Sequence, residues 1–329
     1  MSKFALSAQT SHGLSVSALE EASRTGARDA DIEHLFLALV LSEQAAGRAL
    51  RDLGITLTAA REAVQQQHDA QLSSLGIDAE FPEAGRIVFH ELDGFELTKR
   101  ATDLLVRSSK KGKSGDASAV LGELLAEPSG MITSILERLG VSVQQVSQAL
   151  AQQEAKPVGG SNTGISGRRP AAGTSGAFIM ASVETVRNFL DDPQNITIWD
   201  QRAGTIEPST AEEDVNEQWI VTAPTIWPNG KPVEVKPEFR RRLVRRTQPQ
   251  QAGSLAWSFN YIDSPQACGS VVEFGLQETT GGTQLSVRIT PNRRRGWQKI
   301  KWIALLPVQK FGLWTYRFHI AAAISRYYR

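Results

Sequence analysis

His34-Leu35-Phe36-Leu37-Ala38-Leu39-Val40 and Ala119-Val120-Leu121-Gly122-Glu123-Leu124-Leu125 lie 85 positions apart and carry one apolar pattern. Each is followed by a second shared stretch, Arg51-Asp52-Leu53-Gly54-Ile55 in the first case and Glu137-Arg138-Leu139-Gly140-Val141 in the second. The spacing predicts a duplicated helical unit: a short apolar helix, a loop, a helix ending at Leu-Gly, and a final amphipathic helix. Gly54 and Gly140 stand where a helix needs a left-handed cap residue, a backbone state that glycine adopts without steric cost. Leu57, Ala60 and Val64 then match Val143, Val146 and Leu150, at the three-to-four-residue spacing of one buried helix face. Two copies are expected to close on each other as one all-α domain, because two repeats in an open solenoid would leave long uncovered ends.

Outward from the repeat the composition changes. The chain has 329 residues and a formal net charge of +1. Residues 1–155 hold 14 Lys+Arg against 21 Asp+Glu, or −7, and residues 156–329 hold 22 against 14, or +8. Between Gln153 and Gly176 runs QEAKPVGGSNTGISGRRPAAGTSG, which has too little apolar surface to offset its ordering entropy and reads as a flexible linker. The expected organisation is a helical domain over 1–152, a linker over 153–176 and a second domain over 177–329. Cys268 is the one cysteine, so no intrachain disulfide is expected and the cytoplasm is the default location. The first residues, MSKFALSAQTSHG, lack the apolar run of a signal peptide, and no window offers the roughly 20 apolar residues that span a bilayer.

The repeat resembles the duplicated N-terminal domain of the Clp unfoldase ATPases over residues 13–152. GARDADIEHLFLAL at 26–39 and AAGRALRDLGITLTAAREAV at 45–64 carry the likeness. Glu33 and His34 match the family's Thr-Glu-His; Ile32 takes the Thr position, and Ser118-Ala119 stand where the second copy would have Glu-His. The resemblance implies a docking module for adaptors, substrates and peptides, with Glu33 and His34 at a phosphoarginine-type site, where a carboxylate would pair with a guanidinium-type group. Beside it stands a plainer reading, in which Glu33 and His34 only start a helix. No stretch fits the phosphate-binding pattern of a nucleotide motor; Gly112-Lys113-Ser114 imitates its end, but Arg107 takes the place of the first Gly. The chain is thus similar to short actinobacterial Clp-type paralogues without the ATPase, which implies Clp components, their substrates or Clp-directed peptide antibiotics as partners.

The second half alternates in strand fashion around 217–222, 238–246, 254–261, 270–277 and 283–290, after a short strand near Phe178 and a helical pair from Ser182 to Asp200. A long helix closes the chain from Val308 to Tyr328. SVETVRNFLDDPQNITIWD at 182–200, LAWSF at 255–259, GSVVEF at 269–274 and GGTQLSVRI at 281–289, in that order, resemble the START-like or SRPBCC superfamily, also called the polyketide cyclase or helix-grip fold. That likeness implies an α+β domain whose curved sheet wraps the last helix around a hydrophobic cavity, and a small hydrophobic molecule as partner.

Trp199, Trp219, Trp257, Phe259, Phe274 and Leu285 are the candidate cavity-lining residues; core packing is the alternative for each. Arg241, Arg245 and Arg294 mark a basic surface, with Trp297 and Trp302 interleaved, which suits anionic lipid headgroups at a membrane periphery better than nucleic acid. It equally suits a solvated face. The five histidines lack metal-ligand spacing and no serine sits in G-x-S-x-G, so neither a catalytic set nor a cofactor or metal site is expected. Two functions follow. One is a non-catalytic Clp-associated binding protein that holds peptides or degrons in its first domain and a hydrophobic molecule in its second. The other is a lipid or polyketide carrier, or cyclase-like enzyme, with the first domain as a targeting module.

Overall fold

A computed structural model describes residues 3–77, 82, 84–110, 112–155, 174–209, 218–251, 253–292 and 306–329. The chain divides into two compact units, Met1–Pro157 and Val158–Arg329.

The first unit holds α1 (Lys3–Arg24), α2 (Ile32–Val40), α3 (Ala45–Asp52), α4 (Leu57–Ser74), α5 (Lys99–Ser108), α6 (Ala117–Leu125), α7 (Met131–Arg138) and α8 (Val143–Ala155). α2 to α4 and α6 to α8 are the two sequence copies. The copies also share a parallel pair of two-residue strands, β1 (Asp29–Ala30) and β2 (Glu96–Leu97). All nine residues of α2 are buried, which explains its unbroken apolar run. The second copy is less covered, since α8 buries only Val146 and Gln153 whereas α4 buries Leu57, Ala60, Ala63, Val64 and Gln67.

The Leu-Gly ends are built alike. Gly54 has φ +81° and Gly140 φ +70°, and a Cβ at either position would meet nothing within 4 Å. Backbone conformation rather than crowding therefore calls for glycine. The amide of Ile55 donates to Leu50 O and that of Val141 to Leu136 O, at 3.1 and 3.0 Å, closing each helix by the six-to-one bond of a Schellman cap. Replacing Gly54 or Gly140 with alanine is expected to cost about 1–2 kcal/mol each, the penalty for a Cβ in the left-handed region. Loss of the far-ultraviolet helix signal in denaturant measures it.

The second unit opens with β3 (Thr174–Ile179), α9 (Val183–Asp191) and the short α10 (Ile196–Trp199). Then follow β4 (Thr205–Pro208), β5 (Gln218–Thr222), β6 (Arg241–Thr247), β7 (Leu255–Tyr261), β8 (Ser270–Thr279), β9 (Gly282–Pro291) and the closing helix α11 (Leu306–Tyr327). The strands form one antiparallel sheet in the order β3-β9-β8-β7-β6-β5-β4. One long helix packed on an antiparallel sheet is a helix-grip arrangement. Tyr316, Ile320 and Ile324 recur at helical spacing on α11 and join the core made by the sheet's inner face. The sheet has one strand more than the alternation pattern indicates: β4 covers four residues, of which only Ile206 is apolar and half-buried, and Pro208 ends it at the sheet edge. The segment 153–176 has regular structure at both ends, in α8 up to Ala155 and in β3 from Thr174; residues 156–173 lie outside the described ones.

α9 shows how sequence and packing fix one element. Ser182 caps its start by accepting the amide of Thr185 at 3.2 Å. Asp192-Pro193 stops it, leaving terminal carbonyls without helical partners. Asn195 Nδ2 donates to Phe189 O and Trp257 Nε1 donates to Leu190 O, both at 2.9 Å, so a loop amide and a strand indole complete the helix end.

Candidate functional site

In the first unit Asp31 precedes α2 and its backbone amide donates to His34 Nδ1 at 3.2 Å, which holds the imidazole against the helix start. The Asp31 carboxylate accepts hydrogen bonds from Thr98 and Arg100 across the repeat. Burial pushes the Asp31 carboxyl up, but those hydrogen bonds and the charge of Arg100 outweigh it and leave it below the ordinary range. Glu33 and His34 are only 5% and 6% exposed, so neither is offered to a partner on the surface. Glu33 Oε1 lies 3.2 Å from His34 Nδ1 and 3.7 Å from His68 Nε2, while Oε2 is buried without a hydrogen-bond partner among the described residues. Burial pushes the Glu33 carboxyl up and the neighbouring His34 more than offsets it, so it too lies below the ordinary range. His34 thus takes part in closing the start of α2.

A shallow groove of about 660 Å³ lies between α5 and α6, lined by Lys99, Arg100, Arg107, Glu123, Glu127 and Pro128. Ion pairs cross it: Arg107 Nε to Glu123 Oε2 at 2.9 Å, and Lys113 to the same carboxylate. Lys113, from the stretch that imitates a nucleotide motif, is thus spent on a surface pair.

In the second unit Trp199, Trp219, Trp257, Phe259, Phe274 and Leu285 fall in one core cluster. Trp219, Trp257, Phe259, Phe274 and Leu285 alternate on the sheet face that meets the helices, and Trp199 comes from α10. Trp199 meets Phe274 edge-on at 5.1 Å and Phe259 at 6.1 Å, and Trp219 meets Trp257 edge-on at 5.6 Å. These residues are packed on one another, and none lines the surface groove of about 260 Å³ beside Arg187, Asp191 and Arg246.

An ionic group is set into this apolar cluster. Asp200 directly follows Trp199, and both are fully buried. Arg242, on β6 between the outward Arg241 and Leu243, turns inward with Val244 and is 5% exposed. Its Nη2 lies 2.9 Å from Asp200 Oδ2, so the two form a buried ion pair. Asp200 Oδ1 accepts the Tyr316 hydroxyl and the Arg202 amide, each at 3.0 Å. The Arg202 guanidinium covers the Tyr316 ring at 3.8 Å, and that of Arg242 sits 5.2 Å from the Phe259 ring. Burial alone would lower the pKa of Arg242; the Asp200 carboxylate beside it reverses that, so it stays cationic. Burial and the Asp200 charge push the Tyr316 hydroxyl up, so it stays protonated and can donate. Trp199 Nε1 is buried without a hydrogen-bond partner among the described residues.

Sequence reading missed Asp200, Arg242, Tyr316 and Arg202. The available signal was strand alternation, which puts Arg242 on the face of Val244 and opposite to Arg241 and Arg245. Arg241 is exposed and pairs with Asp263 at 2.6 Å, Arg245 is half-buried, and Arg294, Trp297 and Trp302 lie outside the described residues. The Cys268 thiol donates to Asn292 O at 2.9 Å. Among the described residues no group of three His, Cys, Asp or Glu side chains is placed to hold a metal ion, and no helix is long and apolar enough to cross a membrane.

No known sequence family matches the chain, and no curated protein does. Solved structures do match, over about half of the chain towards its C-terminus. Protein TTHA0849 from Thermus thermophilus is 13% identical, with 46% of this chain and 94% of that one covered and a TM-score of 0.32. Protein CV1439 from Chromobacterium violaceum is 13% identical, at 46% and 95% coverage and a TM-score of 0.28. Human StAR-related lipid transfer protein 5 is 12% identical, at 56% and 96% coverage and a TM-score of 0.26. The helix-grip description of the second unit rests on its own strand order and closing helix.

Proposed function

We propose that this protein is a non-catalytic binding protein whose second unit holds a small hydrophobic molecule bearing one polar group. The observation that carries this reading is the Trp199 indole Nε1, buried without a hydrogen-bond partner among the described residues, in an apolar cluster that also encloses the Asp200–Arg242 ion pair. Buried polar atoms are ordinarily paired, and a buried donor left over in an apolar cluster suits a hydroxyl or carbonyl that arrives with an apolar body. The ligand enters by parting the packed aromatic rings, and its polar group accepts the hydrogen bond of Trp199 Nε1.

In this reading the first unit is a Clp-type docking module without a motor. The repeat and its paired glycine caps support it, and its peptide contact falls on the charged groove between α5 and α6 rather than on the buried Glu33. The protein would then tie the state of a small ligand to recruitment of Clp components or their substrates.

Native mass spectrometry of the full chain purified under mild conditions tests the proposal. The expected result is an added mass of a few hundred daltons that is lost on denaturation and is absent in the Trp199→Phe and Asp200→Asn variants. A bare mass, together with no thermal shift across a panel of fatty acids, sterols and aromatic polyketides, would overturn the ligand reading. The docking reading stands or falls separately, on whether residues 1–155 within the full chain can be cross-linked to a Clp component or peptide in a lysate.

A further inference from the structure

Between β5 and β6 the chain does not return directly. It forms a tight hairpin over residues 225–233, with an isolated bridge between Ile226 and Pro232. Trp227 N donates to Lys231 O at 2.8 Å, Gly230 N to Trp227 O at 2.9 Å and Val233 N to Thr225 O at 2.9 Å. Gly230, at φ +79°, takes the left-handed position that lets so short a turn close. The side chains held at this tip are apolar: Ile226 is 61% exposed and Trp227 40%. A β-branched residue and an indole held in water on a hydrogen-bonded turn keep their apolar surface hydrated, so covering them with another apolar phase would be favourable.

We propose that the Ile226-Trp227 tip inserts into the interfacial layer of an anionic lipid membrane. Two side chains fall far short of the roughly 800 Å² per partner of a stable protein interface, whereas a membrane contact needs only a few anchors. Pro224, Pro228 and Pro232 remove backbone donors from both arms, so the hairpin is a poor template for an added strand. Indole rings suit the headgroup level of a bilayer, with an aliphatic neighbour reaching deeper.

The charge around the tip has the matching sign. Lys231, Lys236 and Arg240 are exposed in or just after the hairpin, against exposed Glu234 and half-buried Glu238. The strand register puts Thr222, Arg241, Tyr261, Ser270 and Pro291 at one end of the sheet, so β9 finishes at the end from which the hairpin projects. Cations flanking an apolar tip attract phosphate headgroups and hold the tip at the surface. The inference is independent of whether the buried cluster binds a ligand.

Co-sedimentation of the full chain with vesicles tests it, using phosphatidylcholine alone and phosphatidylcholine mixed with phosphatidylglycerol. The wild type is expected to bind the mixed vesicles. The I226S/W227S variant, altered only at exposed positions, is expected to lose roughly thirtyfold in affinity. K231Q/K236Q should lose up to roughly tenfold, on the anionic vesicles only and less at high salt. Wild-type protein that stays in the supernatant with both vesicles, or an I226S/W227S variant that binds like the wild type, overturns the proposal. So does an I226S/W227S variant whose effect is to abolish self-association in sedimentation velocity, which would assign the tip to a second copy of the chain.

Discussion

Replacing Arg242 with alanine is expected to destabilise the second unit by about 3–5 kcal/mol, because it strands Asp200 as an uncompensated charge in an apolar core. For a unit of this size that corresponds to a fall in Tm of very roughly 6–20 °C. All seven tryptophans lie between Trp199 and Trp314, so tryptophan fluorescence during unfolding follows this unit alone. Asp200→Ala should cost a similar amount, since it leaves a buried guanidinium unpaired and takes the acceptor from Tyr316. The double variant D200L/R242M is the informative control. Replacing both partners with apolar groups of similar volume is commonly neutral or stabilising. Recovery of stability in the double variant, with loss of the co-purifying mass, would separate a binding role for the pair from a structural one. If the single variants cost less than about 1 kcal/mol, the pair is solvated and the proposed site loses its polar element.

The second large effect concerns the two buried indoles. Trp257→Ala is expected to cost about 3–5 kcal/mol through lost burial and a residual cavity. Phenylalanine at the same positions divides the two residues. Trp257 Nε1 completes the end of α9 by donating to Leu190 O, so Trp257→Phe leaves a buried carbonyl without that donor. Trp199 Nε1 has no acceptor among the described residues, so Trp199→Phe gives up no hydrogen bond there. The Trp257 variant should therefore be the less stable by about 1–3 kcal/mol in the ligand-free protein. Equal losses for both would remove the capping role assigned to Trp257. A Trp199→Phe protein that keeps its stability but no longer retains a small molecule would place the ligand's polar group at that indole.

These residues also mark where sequence reading succeeds and where it stops. The glycines after Leu53 and Leu139 were legible because positive φ leaves a signature that does not depend on neighbours. The strands of the second unit were legible from alternation, to within a few residues at most ends. β1 and β2 were not, because two residues carry no period, and β4 was not, because its sequence Thr-Ile-Glu-Pro has a single apolar position. Glu33 and Arg242 were misleading for one physical reason. A charged side chain is ordinarily left in water, and only the partner brought by tertiary folding, His68 beside Glu33 and Asp200 beside Arg242, makes burial tolerable. The hairpin tip is the converse case, since Ile226 and Trp227 have the composition of a core and stand outside it.

The strand order of the second unit has a consequence for how the molecule is made. From β4 to β9 every strand pairs with its sequence neighbour and can be added as it is synthesised. β3 is different: Thr174 pairs with Arg288 and Ile179 with Thr283, so the first strand to leave the ribosome waits more than a hundred residues for its partner. During that interval its hydrogen-bonding edge and the Phe178 side chain have no native cover, and α11, whose Ser325 bonds to Phe178 O, arrives last of all. Nascent chains stalled before residue 282 should therefore present β3 to chaperones and proteases, and the unit passes quality control only once its final helix has been delivered.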